Sequence, residues 1–402
     1  MTAQPPSIVD PEALAARSAD APRDPRPGIS GLLPEILGAW LRDRAAPAYR
    51  ATQLRDHTWA ASAGTFAAML TLPANLREQL DATFRADTLV DTEVRAADAG
   101  LTGKALHMLD DGALIESVSM RYPARGGRRE RHTVCISSQA GCAVGCPFCA
   151  TGELGPGRDL DVAEIVDQVR FWQRRLAPGG NRVTNVVFMG MGEPLLNAQR
   201  VFAAAAALTD PTRFALGARH VTISTSGVVP GIEALTALAP RYTLAVSLHA
   251  ARPALRDVLV PLNRSYPVDA VVRAASAYAE RTGRRVSYEA VMIDGINDTA
   301  PDASEMARLL RGRLAHVNLI PMNPVAHTPW QPSTPERVAA FAAVLEAAGI
   351  TTTIRHNRGS EIGAACGQLA AEQGGAPSPV VVARRRAKLE RESAAALAGG
   401  GA

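Results

Sequence analysis

The sequence predicts an α/β fold, a parallel sheet of six strands alternating with helices, preceded by a small all-helical module and a β-hairpin. Three observations predict it. From residue 133 onward, short Val- and Ile-rich runs alternate with segments of helical period, the pattern of parallel strands joined by crossover helices. A polar or glycine-rich group follows strand after strand, where parallel α/β folds place their sites. The first strand runs into a cysteine loop, GCAVGCPFCATG, where a doubly wound nucleotide-binding fold would carry a G-x-G-x-x-G turn. That substitution favours an incomplete (β/α) barrel with the cysteines at its C-terminal mouth.

Composition sets the outer bounds. The 402 residues are 47% apolar and 4% aromatic, enough for one large domain and a smaller one with a core of Ala, Val and Leu. No apolar run approaches the roughly 18 residues of a membrane span. The N-terminus lacks the basic-then-apolar order of a secretion signal. The chain is therefore expected in the cytoplasm, without a membrane partner. Thiols stay reduced there, so five cysteines point to chemistry rather than to staples. The net charge of +4 is unevenly spread. Arg125-Gly-Gly-Arg128-Arg129-Glu-Arg131-His132 and Arg384-Arg385-Arg386-Ala-Lys388 are basic runs, the composition of solvated surface or of a phosphate-binding face.

In chain order, residues 1–28 are rich in Pro, Ala and Asp and are expected to be a disordered tail. Residues 29–88 have helical spacing. Leu32, Leu33, Ile36, Leu37, Trp40 and Leu41 share one face; Tyr49, Leu54 and Trp59 suit a second helix, and Leu76, Leu80 and Phe84 a third. Pro34 and Pro73 stand at helix starts. This helical domain and the basic loop are the candidates for nucleic-acid contact. In residues 89–132 the period falls to two around Asp110-Asp111-Gly112, a hairpin turn. Leu114, Glu116, Val118 and Met120 share a face, and a carboxylate on such a face is rarely buried unless paired. The core, 133–372, carries strands at 134–137, 183–189, 220–224, 243–248, 286–293 and 317–321, with helices between them, then a helix at 335–348 and a strand at 351–355. Asp161 is the expected cap of the first core helix. Residues 373–402 are expected to be a flexible basic tail.

Cys142, Cys146 and Cys149 stand as C-x3-C-x2-C. Thiolates this close converge on one metal centre. As ligands of a 4Fe–4S cluster they leave one iron open, where electron-carrier clusters have four protein ligands. A structural zinc site completed by a distant His or Cys is the other use of such a triplet, and a non-catalytic iron–sulfur or zinc RNA-binding protein would explain it together with the basic runs.

Six motifs together carry a closer resemblance: GCAVGCPFCATG, GMGEPLLN, STSGVVPGI, SLHA, IPMNP and RGSEIGAACGQL. Over about residues 30–372 the chain resembles the radical S-adenosylmethionine (SAM) RNA methyltransferases that methylate adenine at C2 in 23S ribosomal RNA and in some transfer RNAs. The resemblance implies an incomplete (β/α)6 radical SAM barrel, a 4Fe–4S cluster on Cys142, Cys146 and Cys149, and SAM contacts from Gly192, Glu193, Ser224, Ser247, Leu248, His249 and Asn323. It makes Cys366 the S-methylcysteine carrier and Cys135 the resolving cysteine of a transient disulfide with Cys366. Glu116 becomes the proton acceptor. It also implies an electron donor such as flavodoxin or ferredoxin, and a monomeric enzyme. Methylation at adenine C8, of the antibiotic-resistance type, uses the same cysteine set and stays open. In one respect the chain departs from the family: the segment between Glu116 and Cys135, which contains the basic loop, is longer than the family pattern.

Overall fold

The computed structural model describes residues 23–127, 129–355, 358–369 and 379–398. Three helices come first: α1 (Pro34–Arg42), α2 (Tyr49–Trp59) and α3 (Ala74–Thr83). An antiparallel meander follows, β1 (Asp91–Ala97), β2 (Thr102–Met108), β3 (Leu114–Tyr122) and β4 (Arg131–Cys135). The core then alternates: α4 (Ala150–Glu153), α5 (Val162–Leu176), β5 (Asn185–Phe188), α6 (Ala198–Thr209), β6 (Val221–Thr225), α7 (Val229–Leu238), β7 (Thr243–Ser247), α8 (Pro253–Leu259), α9 (Val268–Thr282), β8 (Val286–Met292), α10 (Ala300–Leu310), β9 (Ala315–Pro321), α11 (Pro335–Ala347), β10 (Thr351–Ile354) and α12 (Pro379–Ala398).

The ten strands form one sheet in chain order. Strands β4 to β10 are parallel throughout, so the α/β barrel architecture is as expected. The strand expected at 351–355 forms as β10 and joins the six as a parallel neighbour of β9, and the hairpin gains a further antiparallel strand, β1. Val- and Ile-rich strand centres are buried against the helices in a continuous core that includes Val134, Val186, Ile223, Leu244, Tyr288 and Val317, as a sheet covered by helices requires.

The helical module has its own core of Leu41, Leu54, Phe66, Met69, Leu76, Leu80 and Phe84. The apolar stripe on α1 is wider than its contact: Leu33 and Ile36 remain exposed while Leu41 is buried. Helix α5 binds this module to the barrel. The Asp167 carboxylate accepts from Ser30 Oγ at 2.7 Å and from Thr88 N at 2.9 Å. The buried Arg170 guanidinium donates to the carbonyls of Thr58, Ala86 and Ala63 at 2.9, 3.0 and 2.6 Å.

Two expectations about the chain ends change. The expected tail at 1–28 lies outside the described residues up to 22, but 23–28 are held: Asp24 N donates to the Asp110 carboxylate at 3.0 Å, and Arg23 faces Asp110 and Glu164. In the expected flexible tail, residues 379–398 are helix α12. It docks because one face is apolar, with Leu389 buried beside Val144 and Phe148 of the cysteine loop, and Arg386 Nη2 donates to Ala326 O at 2.7 Å. No helix among the described residues is long and apolar enough to cross a membrane.

The segment after β10 crosses to the other end of the sheet. Gly359 N donates to Asp98 Oδ2 at 3.1 Å and Arg358 Nη1 to Arg121 O at 2.8 Å. This crossing sets the following loop, with Cys366, over the C-terminal ends of the strands.

Candidate active site

One cavity at those strand ends is lined by Cys142, Cys146 and Cys149 together with Gly192, Glu193, Ser224, Ser247, His249, Asn323 and Cys366. Sequence-distant motifs thus meet because each follows a different parallel strand. The cysteine loop is tied down locally, by Cys142 N to Gly155 O at 2.8 Å and Cys149 N to Cys146 O at 3.1 Å. His327 Nε2 donates to Pro147 O at 2.8 Å. The loop is also joined to the Cys366 loop: Ala150 N donates to Gly367 O at 2.7 Å and Thr151 Oγ1 to Leu369 O at 2.6 Å.

Each of the remaining contacts has a local cause. Gly192 has φ +98°, and a Cβ there would lie 2.8 Å from Gln139 N, so only glycine lets the chain pass. Glu193 is buried, and burial raises its pKa against the hydrogen bonds that favour its charge. Oε1 accepts from Leu195 N at 3.0 Å, and Oε2 from Ser226 N and Oγ, both at 2.7 Å. His249 is left-handed at φ +60°. Its Nδ1 accepts from Val291 N at 3.1 Å, which leaves any ring proton on Nε2. Burial, helped by the Arg256 charge, pushes its pKa down to about 3, so the ring stays neutral. Asn323 Nδ2 donates to Cys366 O at 2.9 Å and so fixes the carrier loop. Leu248 is not brought into the cavity. Its side chain lies in the core, its N–H goes to Glu289 O at 3.0 Å, and its carbonyl accepts from Arg256 Nε at 3.0 Å, because alternate strand residues face opposite ways.

The donor set fits an iron–sulfur group. Three soft sulfurs share one cavity wall with apolar Val144 and Phe148. Burial pushes the Cys142 thiol up to about 12 and the Cys146 thiol well above its ordinary value, so metal loading must displace protons from them. Among the described residues no three His, Cys, Asp or Glu side chains are grouped to hold one metal ion; a four-iron cube holds its thiolates at separate corners.

A second cavity adjoins the first, lined by Val118, Met120, Tyr122, Cys135, Met189, Arg355, Arg358 and Cys366. Cys366 and Arg355 line both cavities. Burial, with the nearby Cys366 as a second cause, pushes Cys135 up to about 12. All five cysteines are free thiols. Glu116 is buried on β3, on the face of Val118 and Met120, but its carboxylate meets Lys104 Nζ at 2.8 Å in a separate small cavity with Glu93, Arg95 and Leu106. The structure thus brings Cys135 to Cys366 and leaves Glu116 one step away along the strand.

Four residues escaped the sequence reading. Arg355 follows β10 and obeys the rule that polar groups after strands line the site. Glu289 lines the first cavity, with Oε1 accepting from Asn318 Nδ2 at 2.9 Å and Oε2 without a partner among the described residues. Arg256 is buried and donates to the carbonyls of Leu248 and Ser226 at 3.0 and 2.6 Å, joining two of the cavity's loops. Lys104 holds Glu116. Only Arg355 carried a sequence signal; the others are defined by partners far away in the chain.

Comparison with known proteins adds three findings. Residues 136–307 match the model of the Radical SAM superfamily. A protein of Frankia alni named as a dual-specificity RNA methyltransferase RlmN is 51% identical over 338 residues, covering 82% of this chain and 79% of that protein. A protein of the same name from Salinispora tropica is 44% identical over 385 residues, covering 93% of this chain and all of that one. The crystal structure of a radical SAM methyltransferase from Sphaerobacter thermophilus, 43% identical, superposes with a TM-score of 0.82 over 86% of this chain and 100% of that one.

Proposed function

The chain belongs to the radical SAM RNA methyltransferase family, and from that membership we propose that it methylates C2 of adenosine in 23S ribosomal RNA and in transfer RNA, with Cys366 as the methyl carrier. The enzyme uses a 4Fe–4S cluster and SAM, held by the cysteine triplet and by Gly192, Glu193, Ser224, Ser247, His249 and Asn323. The observation that carries this reading is the position of Cys366, shared between the cavity of the triplet and the cavity of Cys135. A carrier must meet a methyl source on one side and a resolving thiol on the other.

Adenine C2 is electrophilic and has no lone pair, so it cannot attack a methyl cation equivalent. A carrier sulfur solves this. Cys366 accepts a methyl through a new S–C bond, and its thiol proton leaves. When bound, SAM would supply that methyl as its own sulfur–methyl bond breaks, and the cluster with SAM would supply the radical chemistry that takes one hydrogen atom from the methyl and accepts the adduct's one surplus electron. In the resulting adduct a methylene bridges the Cys366 sulfur and C2. Glu116 removes the C2 proton, and Lys104 holds that carboxylate in place. Cys135 then attacks the Cys366 sulfur. The S–S bond forms, the S–CH2 bond breaks, and its electron pair takes a proton to complete the methyl. Asn323 steadies the loop throughout. A flavodoxin- or ferredoxin-type carrier delivers the electrons, and the enzyme acts as a monomer in the cytoplasm. Residues 29–88 serve as an RNA-binding accessory domain on the 133–372 core.

Nucleoside analysis of RNA incubated with the reconstituted enzyme tests this reading. 2-Methyladenosine is the expected product; 8-methyladenosine would assign the C8 reaction instead, and no methylated nucleoside would end the proposal. The variant Cys135→Ala should accumulate RNA covalently joined to protein, seen as a nuclease-sensitive shifted band. Free methylated RNA from it in normal yield would remove Cys135 from the reaction.

A further inference from the structure

The β3–β4 connection starts at Tyr122, which lines the Cys135–Cys366 cavity together with Arg358. Tyr122, at the end of β3, stands opposite Arg131 at the start of β4. The Arg131 guanidinium lies over the Tyr122 ring, 4.2 Å from its centroid, and Arg358, arriving from the segment after β10, lies 4.3 Å from the same centroid. Arg358 also donates to Arg121 O at 2.8 Å. The loop's carboxylate is engaged elsewhere: Glu130 pairs with Arg121 at 2.6 Å and accepts from His132 Nε2 at 2.9 Å. Among the described residues neither Arg131 nor Arg358 has a carboxylate within ion-pair distance. Arg125 and Arg129 on the same loop are exposed.

Two guanidiniums over one ring repel each other, and no carboxylate among the described residues pairs with either. Both guanidiniums sit over the ring, and beyond the Arg358 bond to Arg121 O they keep N–H groups that suit phosphate oxygens. Tyr122 and Arg358 line the cavity that ends at Cys366, so an anion bound here is continuous with the reacting centre. A base inside a double helix cannot reach such a cavity; an unpaired or splayed-out nucleotide can. An acidic electron-carrier protein would also suit positive charge, but its target is the cluster, and the cysteine triplet lines the other cavity.

We propose that Tyr122, Arg131 and Arg358 form a clamp for the sugar–phosphate backbone of single-stranded RNA, gripping the strand beside the nucleotide that enters the Cys366 cavity. The clamp rests on the reading that RNA is the substrate.

The test measures binding of reconstituted enzyme to transfer RNA and to a 23S ribosomal RNA fragment over a range of KCl concentrations. The variants are Arg131→Gln, Arg358→Gln, Arg358→Lys and Tyr122→Leu. Methyl gain on Cys366 without RNA, read by mass spectrometry, shows that each variant is folded and loaded. Arg131→Gln and Arg358→Gln should each weaken binding roughly tenfold and reduce the salt slope by about 1, since each removes one phosphate contact. Arg358→Lys should keep the slope, because the charge remains. Tyr122→Leu should raise KM for RNA with a smaller change in kcat. RNA affinity and salt slope at wild-type values in Arg131→Gln and in the Arg131→Gln/Arg358→Gln double variant overturn the clamp while wild type still methylates RNA. So does a defect confined to KM for the reduced electron carrier. Wild-type enzyme that transfers no methyl to RNA overturns the underlying reading, and the clamp with it.

Discussion

His107 and Glu116 lie on neighbouring strands and show how burial sets what a side chain does. His107 is enclosed, with Nδ1 2.9 Å from Thr92 Oγ1, Nε2 2.7 Å from Ser117 Oγ and the ring edge-on to Phe171. Burial, with a smaller push from Arg174, lowers its pKa to about 3. The folded state therefore keeps the ring neutral while the unfolded chain takes up a proton below about 6.5. The stability this supplies is full above that pH and is lost as pH falls toward 3, by up to about 1.4 kcal/mol per pH unit. His249 adds the same dependence. Urea midpoints measured from pH 7 to pH 4 should fall more steeply for wild type than for His107→Gln, and parallel curves would refute the assignment. For Glu116, substitution by Gln retains the shape and a hydrogen bond to Lys104 but removes the base. Cys366 methylation should be unaffected while RNA–protein adduct accumulates. Normal product release would mean that another group takes the C2 proton, and the Lys104 pairing in its separate cavity would then be structural.

At the scale of elements, α5 is the joint between the helical module and the barrel. Its start was legible in the sequence: Asp161 caps the helix, with Glu164 N donating to Asp161 Oδ1 at 2.9 Å and Asp161 N to Glu164 Oε2 at 2.8 Å, a reciprocal capping box. Its role as a joint was not legible. Arg170 and Asp167 are wholly buried and paired, and their other partners lie on the module. Arg170→Met leaves the Asp167 charge without its cation and should cost about 3–5 kcal/mol. Chemical denaturation and limited proteolysis would register it as a lower midpoint and as early cleavage within residues 29–88. A loss below about 1 kcal/mol, the scale of a surface pair, would show that packing alone holds the joint. The hairpin tells a similar story. Its Asp-Gly turn closes as expected, with Leu109 N donating to Ala113 O at 2.9 Å, whereas the stacking of Tyr122 under two arginines depends on β4 and on the segment after β10.

Over the whole molecule, the sequence by itself determined what depends on local period and local spacing. Apolar alternation specified strand–helix order, and C-x3-C-x2-C specified a metal loop after the first core strand. Polar groups after each strand marked the residues that line one cavity, because parallel strands deliver their C-terminal ends to one face of the sheet. Tertiary structure decided what depends on side-chain direction and on chain crossing. Leu248 sits between two cavity residues and faces the core, since a strand end turns alternate residues apart. Residues 379–398 became a docked helix because the cysteine loop offers Leu389 an apolar seat. The segment after β10 returned to Asp98 and Arg121, and that return, with the bonds from Asn323, Ala150 and Thr151, placed Cys366 between the metal loop and Cys135. No local signal encodes such a return: it follows from carbonyl and carboxylate partners that only the folded sheet brings within reach.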